Sequence, residues 1–202
     1  MKILFFIAAL FFCLVSCNND KASNSNILPE PKAAEVAKSD SFFPVTSFIK
    51  GQMRLLDSIP VTPLHTITIN NKIDSQWIKQ TALKSLLAPF LSPEIRETNM
   101  VNYFKETSFK DQTLNAITFT YDPVKSLPDS ITLRHWDVYI DPETGTVTKV
   151  YLVKHQAEKL GMVTLQLTWK TNKYAMIVTL QDQPDGTTKL IKEDKFIWNF
   201  NI

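Results

Sequence analysis

From Phe42 onward the apolar positions recur first every three to four residues and then every two. Val45, Phe48, Ile49, Met53 and Leu56 fall on one helical stripe, with Lys50, Arg54 and Asp57 on the other side. Pro44 suits the first turn of that helix, where its missing N–H is no loss; Gly51 weakens it, and Pro60 and Pro63 end it. Residues 65–69 read as a short strand closed by Asn70-Asn71. A second helix is predicted over 75–91, with Ile78, Leu83, Leu86, Leu87 and Phe90 on its apolar stripe. From Tyr103 the period becomes two, and strands are predicted at 103–110, 115–121, 132–141, 146–154, 162–171, 174–182 and 188–200.

Turn residues propose the registers. A two-residue loop at Asn172-Lys173 sets Trp169 opposite Met176, Leu167 opposite Val178 and Leu165 opposite Leu180. Asp141-Pro142-Glu143-Thr144-Gly145 reads as a hairpin pairing Trp136 with Tyr151 and Ile140 with Val147. Gln183-Pro184-Asp185-Gly186 supports a three-residue loop with Gly in the left-handed region, carrying one apolar face on to Leu190, Phe196, Trp198 and Phe200. Trp169, Met176, Val178, Phe196, Trp198 and Phe200 are then expected on the face that Phe48, Met53, Leu86 and Phe90 cover. The fold class that follows is α+β: two N-terminal helices packed on a curved antiparallel β-meander of about six to seven strands.

Before Phe42 the composition differs. Residues 18–40 are rich in Asn, Ser, Asp, Lys and Ala, are broken by Pro29 and Pro31, and contain few large apolar side chains. They read as a tether with a typical reach of about 25 Å. At the very start, Lys2 precedes an uncharged apolar run over residues 3–12, which is the plan of a secretory signal. The run is shorter than the about 20 apolar residues that a spanning helix needs.

The signal ends in Leu14-Val15-Ser16-Cys17, which resembles the lipobox of bacterial lipoproteins, with Leu14 at −3, Ser16 at −1 and Cys17 at +1. The resemblance covers about the first 20 residues, and it implies a diacylglyceryl group on the Cys17 thiol, cleavage before Cys17 and acylation of its amine. The implied organisation is a signal peptide at 1–16, a lipidated flexible tether at 17–40 and a single α+β globular domain at 41–202. Asn18 at +2 resembles lipoproteins released to the outer membrane, so that membrane is expected in preference to the inner one. Cys13 leaves with the signal, and Cys17 alone cannot form an internal disulfide.

Charge and motifs narrow the function. The 22 Lys and Arg nearly balance the 20 Asp and Glu, and no basic stripe is interleaved with aromatics, so a nucleic-acid partner is not expected. His65, His135 and His155 are isolated in sequence, and no zinc spacing, phosphate loop or nucleophile elbow is present. With 4 glycines a backbone phosphate cradle is hard to build. His135, Asp137 and Tyr139 alternate on one strand face as base, carboxylate and proton donor, although i, i+2 neighbours about 6–7 Å apart are too distant for direct hydrogen bonds. Asp182, Asp185 and Glu193 suggest a calcium loop but fit turn chemistry better. Trp136, Trp169 and Trp198 are expected in the core with their N–H groups on carbonyls, rather than lining a ligand cavity.

No catalytic, metal or cofactor-binding residue is assigned, and no cofactor is expected. The one assigned site is lipidation at Cys17. The expected function is a lipid-anchored, non-enzymatic binding or assembly module of the cell envelope. Its partners are membrane lipid through acylated Cys17 and possible envelope proteins. The alternatives are a carrier of an apolar or lipid-like ligand, by analogy of architecture with half-barrel outer-membrane lipoproteins, and a hydrolase using His135 and Asp137.

Overall fold

The structure, a computed structural model, describes residues 40–158, 161–183 and 185–199. The lipobox, Cys17, nearly all of the tether and Phe200 lie outside the described residues.

Helix α1 (Val45–Asp57) forms where the stripe predicts it, burying Val45, Thr46, Ile49, Met53 and Leu56. Thr46 joins the stripe because its hydroxyl accepts the Ile95 N–H at 2.8 Å. The helix closes at Ser58, whose hydroxyl donates to the Leu55 carbonyl at 2.7 Å.

The second helix differs from expectation. Residues expected to open it instead form β2 (Lys72–Trp77), paired antiparallel with β1 (Leu64–Ile69). The cause is Asn70-Asn71, with φ of 50° and 61°; two successive left-handed residues make the hairpin turn that matches strand twist. Ile73 and Trp77 share a helical spacing but lie exposed on this hairpin, at 72% and 63%. The helix is confined to α2 (Gln80–Leu86), followed by a 3₁₀ turn at Ala88–Leu91 that carries Pro89. Pro89 lacks the N–H that the α ladder needs there. Leu83, Leu87 and Phe90 are buried as expected, whereas Leu86 is exposed.

The seven later strands are β3 (Phe104–Asp111), β4 (Ala116–Pro123), β5 (Leu133–Ile140), β6 (Val147–Glu158), β7 (Gly161–Lys170), β8 (Tyr174–Asp182) and β9 (Thr188–Ile197). With the first hairpin they make one antiparallel sheet of nine strands, in the order β2-β1-β9-β8-β7-β6-β5-β4-β3. The α+β class holds. The expectation of six to seven strands falls short, because β1 and β2 join the meander at β9. The helices are not simply N-terminal to the sheet, since two of its strands, β1 and β2, lie between them in the chain.

Two registers are off by one residue. At the β7–β8 turn the loop has three residues, closed by Lys173 N–H donating to Lys170 O at 3.0 Å, with Asn172 at φ 58°. Trp169 therefore faces Ala175 and Leu167 faces Ile177, while Met176 and Val178 point to the other side of the sheet. In the β5–β6 hairpin Ile140 does pair with Val147, but a bulge at Thr148 follows, so Trp136 faces Leu152 and not Tyr151. The β8–β9 turn is as expected, with Gly186 at φ 81° and Gln183 N–H on Thr187 O at 2.8 Å. A bulge beyond it turns Leu190 away from the core face.

One cross-strand row, Val138, Val150, Trp169, Ala175, Phe196 and His65, is buried throughout beneath the helices. Phe90 meets Trp169 edge to face at 5.6 Å, and Phe42 meets Tyr121 at 5.0 Å, with Tyr121 stacked on Trp136 at 4.5 Å. Lys154 is also in this core, 2% exposed, its ammonium donating to the carbonyls of Pro89, within the 3₁₀ turn, and of Ser92, just after it.

Candidate functional site

Strand alternation puts His135, Asp137 and Tyr139 on the sheet face away from the helices. The i, i+2 separation does not keep them apart. His135 Nε2 stands 3.1 Å from Asp137 and the Tyr139 hydroxyl donates to the same carboxylate at 3.3 Å. Thr120 on β4 donates to Asp137 at 2.7 Å, and Asp122 on β4 lies 2.8 Å from His135 Nδ1.

The hydrogen bond to Asp137, aided by Asp122, raises the His135 pKa to about 9. Burial would raise the Asp137 pKa, but the bonds from His135 and Thr120 outweigh it and hold the carboxyl below its ordinary range. Burial, then the Asp137 charge, pushes Tyr139 up to about 12. At neutral pH His135 is thus an imidazolium with both ring nitrogens donating to carboxylates. Such a ring has no lone pair with which to accept a proton, and Tyr139 is a poor acid. The constellation is an ion-pair network bracing β4 to β5.

His65 is 3% exposed, with Nε2 at 2.9 Å from Asp194, whose carboxylate also pairs with Lys192 at 2.8 Å. Its ring stacks on Phe196 at 4.3 Å. Asp194 lies 129 residues away in the chain, so no local spacing announces this pair. His155 stands apart from both, its pKa lowered by burial and by Arg134. In the acidic hairpin Asp185 accepts the Thr187 N–H at 2.9 Å and Asp182 accepts the Thr188 hydroxyl at 3.3 Å, as turn residues do. Among the described residues no group of three His, Cys, Asp or Glu is placed to hold a metal.

Trp136, Trp169 and Trp198 are in the core, at 0%, 0% and 6% exposure. Their N–H groups do not meet carbonyls as expected, because no hydrogen-bond partner is present for any of the three among the described residues. Trp169 and Trp198 stand 5.2 Å apart at the floor of a groove of about 600 Å³, beside the C-terminal end of α1. Leu55, Leu56, Ile59 and Val61 form its apolar wall, and Gln52, Ser58, Asn172 and Asn199 supply amides and a hydroxyl. No charged side chain lines it among the described residues. Sequence reasoning missed this groove because Leu55 and Ile59 lie outside the helical core stripe and are exposed at 58% and 44%.

No protein family, curated protein or solved structure matches this chain.

Proposed function

We propose that this chain is a lipid-anchored protein of the bacterial cell envelope, outer membrane in preference to inner, whose folded part is a non-enzymatic binding module. The groove between α1 and the β7–β8 turn carries this reading. A volume of about 600 Å³ falls within the roughly 300–1,000 Å³ of small-molecule sites, which join apolar walls to a few polar groups. The lining has no charge to offset, so the matching occupant is an uncharged amphiphile with an apolar body and hydrogen-bonding groups at one end. The lipobox resemblance supports the anchor at Cys17, and the ion pairs of His135 with Asp122 and Asp137 weigh against its use as a general base.

The test is titration of the full chain with a neutral apolar fluorescent probe. Saturable binding is expected, and Leu55→Lys should abolish it with an unchanged melting temperature, since Leu55 is 58% exposed. Non-saturable or Leu55-independent binding would remove the groove from consideration. The same apolar wall favours a second reading, a carrier of a lipid-like ligand. Solvent extraction of the purified protein separates the two, because a carrier yields a stoichiometric apolar molecule.

A further inference from the structure

The sheet face opposite the helices holds one row of directly opposed residues across five strands: Thr118, Tyr139, Lys149, Lys170 and Tyr174. Lys149 and Lys170 are cross-strand partners. Like charges set directly opposite on a sheet destabilise it, with Cβ atoms only about 4.5–5.5 Å apart. Both lysines are half-buried, so water does not fully screen them.

Asp137 and Asp111 act on Lys149 only from a distance, and burial and the Lys170 charge outweigh them. Lys50, Lys84, Lys192 and Arg96 each find a carboxylate, whereas among the described residues none lies within ion-pair distance of Lys149, Lys170 or Lys195. Asp137, the acid of the adjacent row, is taken up by His135, Thr120 and Tyr139. Asp111 is held by the turn amides of Thr113 and Leu114. Burial and the charge of Lys170 pull the Lys149 pKa below the ordinary lysine range. The flanks are aromatic: Lys149 Nζ lies 3.5 Å from the Tyr139 ring centroid, and Lys195 Nζ lies 4.8 Å from that of Tyr174.

We propose that this row binds a phosphate-bearing group, seated between Lys149 and Lys170, with Lys195 and the hydroxyls of Thr168 and Tyr174 beside it. A phosphate carries more than one negative charge and several acceptor oxygens, so one group satisfies two or three ammoniums at once and converts their repulsion into charge-assisted hydrogen bonds. The site lies on the other face of the sheet from the groove and does not depend on it. Either a soluble phosphate compound or an anionic lipid headgroup presents this chemistry.

Two probes are used with the full chain. Pyrophosphate, compared with chloride at equal ionic strength, should raise the melting temperature by several degrees when it binds the native state. Phosphatidylglycerol vesicles, compared with phosphatidylcholine vesicles, should recruit the Cys17→Ser chain, in which no acyl anchor contributes. Lys149→Met and Lys170→Met should each weaken whichever response occurs about tenfold, the loss of one charge-assisted contact. Lys170→Met without ligand should melt at or above the wild-type temperature, because it relieves a like-charge pair; this also verifies folding. A pyrophosphate response identifies a soluble ligand class, and a vesicle response identifies a headgroup. Absence of both, or responses unchanged in the double lysine variant, would overturn the site.

Discussion

His135 Nε2 lies 3.1 Å from the Asp137 carboxylate although only one residue separates them on β5. The ring leans along the strand and reaches Asp122 with its other nitrogen at 2.8 Å. Because the folded pKa is raised to about 9, the stabilisation is complete below about pH 6.5 and is lost as pH rises through 9. The interval corresponds to roughly 3 kcal/mol, which solvent screening reduces to about 1–2 kcal/mol, since Asp122 is 45% exposed. His135→Gln should therefore lower unfolding stability by about that amount at pH 6 and change little at pH 10. Urea denaturation at both pH values measures the difference. An equal loss at both would mean that the ion pairs contribute nothing.

Lys154 has the opposite sign. Burial lowers its pKa from 10.5 to about 8, so the folded state releases the proton first. Between pH 8 and 10.5 the unfolded chain binds more protons, and stability from this group rises with pH, by up to about 3 kcal/mol. Lys154→Met should remove that rise. It should also destabilise the protein near pH 10.5, where the uncharged amine still donates to Pro89 and Ser92 and methionine leaves both carbonyls bare. The windows of His135 and Lys154 overlap between pH 8 and 9, so each is measured as wild type minus variant. A Lys154→Met profile that keeps the full rise would assign it to another group.

The later strands were legible because alternation and turn residues agree across them, and all seven expected segments from Tyr103 onward are strands. Registers were less legible. One loop residue at Thr171–Lys173 and one bulge at Thr148 each flip a set of side chains, and neither leaves a mark in periodicity. The end of β2 falls inside the segment 75–91 that the helical stripe of Ile78, Leu83, Leu86, Leu87 and Phe90 predicts, and Asn70-Asn71 reads in sequence only as the end of a strand rather than as the turn of a hairpin. The polar network was half visible: His135, Asp137 and Tyr139 alternate in sequence, but Asp122 and Thr120 come from the neighbouring strand. The buried contact of Lys154 with carbonyls more than sixty residues away has no local signature at all.

Trp169 is fully buried between Phe90, Trp198 and Ala175, on the core face of β7. Trp169→Ala removes the ring under α1 and should cost about 3–5 kcal/mol, lowering the melting temperature strongly. Trp169→Phe keeps most of the packing and loses an indole N–H that has no partner among the described residues, so its cost should be clearly smaller. Thermal melts of the two variants check the order. A loss from phenylalanine as large as that from alanine would show that the N–H, not the packing, matters here.

The last prediction concerns Cys17. The pattern Leu14-Val15-Ser16-Cys17 resembles a lipobox, and the residues that follow it are mostly polar. Each acyl CH₂ buried in the bilayer contributes about 0.8 kcal/mol, so one chain holds weakly, whereas the two or three that the resemblance implies hold essentially permanently. Mass spectrometry of the mature N-terminus should find acylated Cys17 as the first residue, and the protein should partition into the membrane fraction. Cys17→Ala should abolish acylation and with it the permanent, salt-resistant part of the partitioning, whereas Cys13→Ala should alter neither, because Cys13 is expected to leave with the signal. Among the described residues no helix is long and apolar enough to cross a membrane. An unmodified Cys17, or a mature chain that begins elsewhere, would sink the anchor.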